Sequence, residues 1–116
     1  MESNEQITAF FDGLCPQKFG LMVHPFEEPD ILQTKFELFG SRLTHVHSQL
    51  TSEGNRICLE EWPERVQACF EVMKKNNFSG NFTVEFTGLT AAPGENINSL
   101  FANAVKDLNY IKEAFE

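Results

Sequence analysis

Basic residues are scarce in this chain of 116 residues: nine Lys and Arg stand against seventeen Asp and Glu, a formal net charge of −8. Affinity for nucleic acid comes largely from Lys and Arg gathered against phosphates, so no broad nucleic-acid surface is expected. Cysteine is equally sparse. Cys15, Cys58 and Cys69 are odd in number and form no CxxC pair, which speaks against a disulfide framework or a zinc knuckle and fits a reducing compartment. None has a histidine beside it, so a thiol nucleophile is not expected either. No apolar run is long enough to span a bilayer, and the start "MESNEQ" lacks the positive, then apolar, character of a signal peptide. The expectation is a cytoplasmic protein with no membrane association.

What remains is ordinary for a folded protein. Hydrophobic residues make up 41% and charged residues 22%, a balance that separates the chain from disordered sequences. Its length suffices to bury a core without disulfides or a structural metal. There is no linker, repeat or low-complexity tract, so a single domain, 1–116, is expected.

Periodicity then divides the chain. "SNEQITAFFDGL" spaces Ile7, Phe10, Phe11 and Leu14 as one helical stripe behind possible caps Ser3 and Asn4. "KFGLMVHP" has strand length and stops at Pro25, and "EEPDILQTKFELFG" reads as a helix with Pro29 in its first turn and Gly40 after it. "RLTHVH" sets Leu43, His45 and His47 against Arg42, Thr44 and Val46, and beyond a loop at Gly54 "RICLE" is a second short strand. In "WPERVQACFEVMKKNN" Val66, Cys69, Phe70 and Met73 make a helical stripe that Asn76 and Asn77 end. "GNFTVEFTG" puts Phe82, Val84 and Phe86 on one face and Thr83, Glu85 and Thr87 on the other. The last segment, with Ile97, Leu100, Phe101, Ala104, Val105, Leu108, Ile111 and Phe115, is the strongest amphipathic helix. Strands alternating with helices of this length predict an α/β protein with about four parallel strands, led by a helix.

In such a sheet the C-terminal strand ends share one edge, where ligands usually bind. His24, His47 and Glu85 all fall there, and His45 leaves the same side of its strand as His47. Two imidazoles and a carboxylate suit Zn²⁺, Mn²⁺, Co²⁺ or Fe²⁺ better than Ca²⁺. Each residue singly has a plainer reading: a histidine at a strand end is more often exposed or hydrogen-bonded, and Glu85 could face solvent. His45 is expected beside the site, and Arg56 is a candidate for holding an anionic or hydroxylated substrate, or else a solvated loop arginine. The loop "TGLTAAPGEN", with Gly88 and Gly94, could hold a phosphate at the last helix, although it carries no phosphate-binding motif.

The succession "FGLMVHP", "RLTHVHSQL" and "FSGNFTVEFT" followed by a long helix resembles the C-terminal half of xylose-isomerase-like TIM barrels, the superfamily of sugar isomerases, ketose epimerases and endonuclease-IV-like proteins. The resemblance covers nearly the whole chain and implies half of a (β/α)8 barrel. It implies a divalent metal, Mn²⁺, Zn²⁺, Co²⁺ or Mg²⁺, held by His47 and Glu85, with His24 where an Asp is commoner and Glu85 also moving a proton. Two features depart from the family: Ser48, Gln49 and Leu50 follow His47 in place of the usual Lys or Asp, and the Glu expected from a fourth barrel strand has no counterpart.

The activity implied is a metal-dependent sugar or sugar-phosphate isomerase or epimerase working through an enediolate. The alternative is a non-catalytic half-barrel scaffold. In either case four strands cannot close a barrel, so a homodimer or larger assembly is expected to cover the open edges and inner face.

Overall fold

Helix starts follow the local rules closely. In the computed structural model, which describes residues 3–14, 18–86, 94 and 96–115, helix α1 (Asn4–Phe11) opens with a capping box: Ser3 Oγ accepts from the Gln6 N–H and the Ser3 N–H donates to Gln6 Oε1, both at 3.3 Å. Helices α2 (Pro29–Phe39) and α3 (Pro63–Lys75) each begin on a proline, whose missing N–H costs nothing in a first turn. Asn76 caps α3 and Asn77 takes a positive φ of 54°. Helix α4 (Ile97–Phe115) starts behind Asn96, whose Oδ1 accepts from the N–H groups of Asn98 and Ser99. Those donors are the ones a phosphate would have used, and Gly88 of the expected phosphate loop lies outside the described residues.

Strands β1 (Leu21–Val23), β2 (Leu43–Ser48) and β5 (Asn81–Val84) form a parallel sheet in the order β1-β2-β5. The fourth parallel strand expected at "RICLE" is not formed. Instead β3 (Leu50–Ser52) and β4 (Asn55–Ile57) pair antiparallel as a separate hairpin. Its two-residue turn, Glu53 and Gly54, has φ values of 50° and 79°, the doubly positive geometry that joins antiparallel strands, whereas a parallel partner would need a crossover of a dozen residues. The architecture is therefore mixed α/β, with three parallel strands, one hairpin and four helices among the described residues.

The helices lie in sequence across one side of the sheet: α1 touches α2, α2 touches α3, and Lys74 of α3 donates to the Ala114 carbonyl of α4 at 3.3 Å. One buried cluster fills the space beneath them. It takes in Val23, Leu32, Phe36, Val46, the four predicted α3 residues Val66, Cys69, Phe70 and Met73, and Ile111. Phe70 is its hub, edge-on to Phe26, Phe82 and Phe115 with centroids 5.5, 6.4 and 5.2 Å away. Burial of Cys58 and Cys69 pushes both thiols up to about 11, which keeps them protonated at neutral pH and unreactive.

Three local expectations are corrected. Leu43 does not share a face with His45 and His47: the β1–β2 register slips at Thr44, so that Leu43 and Val46 both enter the core. The α1 stripe buries none of its residues fully, because α1 is an outer helix held by α2 and by Arg42, which donates to the Phe11 and Leu14 carbonyls and lies over the Phe11 ring. In α4 the fully buried side chains are Asp107 and Ile111, while Ile97, Phe101, Val105 and Leu108 are exposed.

Two glycines let the neighbouring strands approach the bulged Thr44. A Cβ on Gly20 would strike the Thr44 side chain, and one on Gly80 would strike the Thr44 carbonyl and the Phe78 ring. The first obstacle can rotate away; the second is backbone. Gly80→Ala is accordingly expected to cost about 1–3 kcal/mol, with Gly20→Ala costing less, when both are compared by urea denaturation. Equal stability of Gly80→Ala and the unaltered protein would contradict this packing.

Asp107 is a second checkable feature. It is 1% exposed and accepts a 2.9 Å hydrogen bond from the Leu59 N–H, fastening α4 to the 3-10 turn at Leu59–Glu61. Burial, opposed by that bond and assisted by Glu60 and Glu61, pushes its carboxyl up to about 6. The folded form then holds the proton more tightly than the unfolded one. Asp107 thus weakens the fold as pH rises from about 4 to 6, and the cost is constant above that window. Asp107→Asn keeps an acceptor for Leu59 and is expected to gain about 1–3 kcal/mol at pH 7.5 but little at pH 4. Melting curves at the two pH values should show the gap opening; a gap independent of pH would refute the assignment.

Candidate metal centre

Parity along each strand and register between strands together assemble the site. Val23 pairs with Val46, and Val46 with Phe82, all on the helix-covered side. The residues one step on turn to the opposite side. His24 follows β1 directly, His47 pairs with Thr83 within the sheet, and Glu85 follows β5 directly. The ladder continues past the formal end of β5, since the Glu85 N–H donates to the Ser48 carbonyl at 3.0 Å. That bond fixes the Glu85 side chain beside His47.

The result is a compact set: His24, His47 and Glu85 each offer one ligand atom, and the three atoms lie within 4.8 Å of one another. His47 Nδ1 is 3.4 Å from Glu85 Oε2, and the His24 and His47 rings are edge-on with centroids 5.8 Å apart. Each of the three is partly buried. Yet among the described residues His24 Nδ1 and Glu85 Oε2 are shielded from solvent and have no hydrogen-bond partner, the 3.4 Å approach of His47 lacking hydrogen-bond geometry. Unpaired buried polar atoms are costly and uncommon. Here two of them belong to the three residues of one cluster.

His45 sits next to the set as expected, its ring centroid 5.3 Å from that of His47. Its Nε2 shares a 2.9 Å hydrogen bond with Thr83 Oγ1. Thr83 was not among the sequence candidates, although its place two residues before Glu85 on the polar face of β5 was the available signal. Ser48 is 0% exposed, and its Oγ, on the core side, has no hydrogen-bond partner among the described residues.

Arg56 stands apart from this cluster in the secondary structure. It lies on β4 of the hairpin, where its guanidinium donates to Thr51 Oγ1 across the turn. A role in substrate binding would require the hairpin as a whole to lie against a ligand at the sheet edge. Among the described residues no helix is long and apolar enough to cross a membrane.

Donor chemistry agrees with the set's shape. Nitrogen and oxygen ligands around one borderline ion at about 2.0–2.2 Å stand roughly 3–4 Å apart, and these three groups are that close to within about an ångström. A pairing of protonated His47 with Glu85 would use two of the groups but leave His24 Nδ1 unsatisfied. Compared with known protein families, curated proteins and solved structures, the chain matches none.

Proposed function

We propose that this protein is a divalent-metal-dependent sugar or sugar-phosphate isomerase or epimerase, built as half of a xylose-isomerase-like TIM barrel. The observation that carries the reading is the convergence of His24, His47 and Glu85, two of them with buried atoms unpaired among the described residues, at the C-terminal edge of a parallel sheet. This is the edge on which ligand sites of parallel α/β folds are built. The face that carries the set corresponds, in this reading, to the interior of a barrel. Mn²⁺, Zn²⁺, Co²⁺ or Mg²⁺ bound there would supply Lewis-acid polarisation of adjacent sugar oxygens.

The chain's own groups divide the remaining work. His24 and His47 hold position through their strands, and Glu85 has a second carboxylate oxygen free to take a proton from carbon next to a carbonyl. His45 and Thr83, already hydrogen-bonded to each other, are placed to receive sugar hydroxyls. Inverting a carbon centre, as an epimerase does, needs a second base on the opposite face of the enediolate, whereas an isomerase can return the proton from the same carboxylate. Among the described residues the cluster has one carboxylate, so for an epimerase the reading places the second base on another copy or another segment.

Metal content after purification without chelator tests the first half of this reading, with one ion per chain expected and Glu85→Gln expected to lose it. Exchange of substrate C–H hydrogen in D₂O tests the second half. Stoichiometric metal without exchange on any ketose or ketose phosphate would favour a non-catalytic half-barrel scaffold, and a metal-free protein would defeat the proposal.

A further inference from the structure

The helix layer ends in two uncovered faces of different character. On α4, Ile97, Phe101, Val105 and Leu108 recur at helical spacing and are exposed, Phe101 to 71%. Lys112, one turn beyond Leu108 and also exposed, continues the same line. This stripe is rotated away from Asp107 and Ile111, the residues that seat α4 on its own chain. At the other end of the layer a groove of about 410 Å³ runs between α1 and α2. Asn4, Glu5, Thr8, Ala9 and Asp12 line it on one side and Leu38, 53% exposed, on the other. Helix α1 and its cap residue Asp12 carry no basic side chain.

The two faces are complementary: an apolar ridge ending in a cation at one end, a largely apolar groove edged by two carboxylates at the other. They also match in position. Because α4 follows β5 and α1 precedes β1, seating the ridge of one copy in the groove of another brings the β5 edge toward the β1 edge, each unpaired among the described residues. Made reciprocally, such a contact is isologous and closes in a two-fold pair.

We propose that α4 of one copy docks in the α1/α2 groove of a second copy, and the reverse, giving a closed pair in which each chain covers the other's exposed stripe. The closure rests on the half-barrel reading; the docking itself does not depend on metal. On the half-barrel reading, pairing would turn both His24, His47 and Glu85 sets toward a shared interior. Exposed apolar patches of this extent commonly mark association surfaces.

Light scattering during gel filtration at 5–100 µM tests the proposal, with twice the chain mass expected. Phe101→Glu on the ridge and Leu38→Glu at the groove should each weaken self-association at least tenfold, and far-UV circular dichroism should stay unchanged because both side chains are exposed. An equimolar mixture of the two variants retains one intact ridge and one intact groove, so it should recover a pair. Lys112→Glu alone should weaken pairing severalfold, and adding Glu5→Lys with Asp12→Lys should restore it. A monomeric protein at 100 µM, undiminished pairing of Leu38→Glu, or no recovery on mixing would overturn the docking. Metal titration of the monomeric variants reads the proposed metal site separately, so failure of one proposal leaves the other standing.

Discussion

Replacing His47 with Ala should erase the rise in melting temperature produced by Mn²⁺ or Zn²⁺. An ion that binds the folded chain alone, present at a hundred times its dissociation constant, stabilises by about 2.7 kcal/mol. For a domain of this size that is on the order of 10 °C. His47 stands between His24 and Glu85, on the central strand, and its removal leaves two ligands on opposite edges of a three-stranded sheet. The metal-free stability should change by less than about 1 kcal/mol, since the imidazole is a third exposed and makes no hydrogen bond to Glu85. His45→Ala is the control: His45 lies outside the set, bonded to Thr83, and its loss should reduce affinity by no more than about tenfold. Calorimetry with and without metal reads all three. A His47→Ala protein that still gained the full shift would end the metal assignment.

Phe70→Ala should be the most damaging core substitution, costing about 3–5 kcal/mol. Phe70 is 1% exposed, and its ring is the point where α3 meets the β1–α2 loop through Phe26, β5 through Phe82 and α4 through Phe115. No neighbouring side chain can fill the hole without abandoning one of those contacts. Since small domains are stable by only about 5–15 kcal/mol, a sizeable unfolded fraction is expected near 40 °C. Phe70→Leu retains much of the apolar volume and should recover part of the loss. Urea denaturation decides the matter: a loss below about 1 kcal/mol for the Ala variant would mean that the cluster does not converge on this ring.

The half-barrel reading and the docking proposal bear on each other through the site. The one carboxylate of the cluster among the described residues suffices for an isomerase but not for an epimerase, which needs a second base on the opposite face, and a second copy is one source of it. The pH behaviour of Asp107 does not involve the metal ligands, because its carboxyl is buried between α4, to which it belongs, and the 3-10 turn whose Leu59 N–H it accepts from.

Local signals determined the local structure. The Ser3 cap, the prolines at 29 and 63, the Asn pair at 76 and 77 and the stripe Val66, Cys69, Phe70, Met73 act over one or two helical turns, and the helices formed where those signals lie. Strand parity likewise put His45 with His47 and Thr83 with Glu85, since that depends only on the pleat. Other features required the assembled fold. The slip at Thr44 sent Leu43 into the core because two strands had to pack on either side of one bulged residue, at Gly20 and Gly80. The hairpin at 50–57 arose from paired positive φ angles at Glu53 and Gly54, and a short apolar run beyond a glycine reads the same whether its partner is parallel or antiparallel. The apolar arc of α4 is wider than the surface available to cover it, so periodicity named the right residues without saying which would stay outside. Above all, bringing His24, His47 and Glu85 within 4.8 Å of one another depended on the relative slide of three strands separated by two helices. Sliding one strand past another leaves every local pattern intact, and only the packing of Val23, Val46 and Phe82 beneath the helices selects the position in which the three ligands meet.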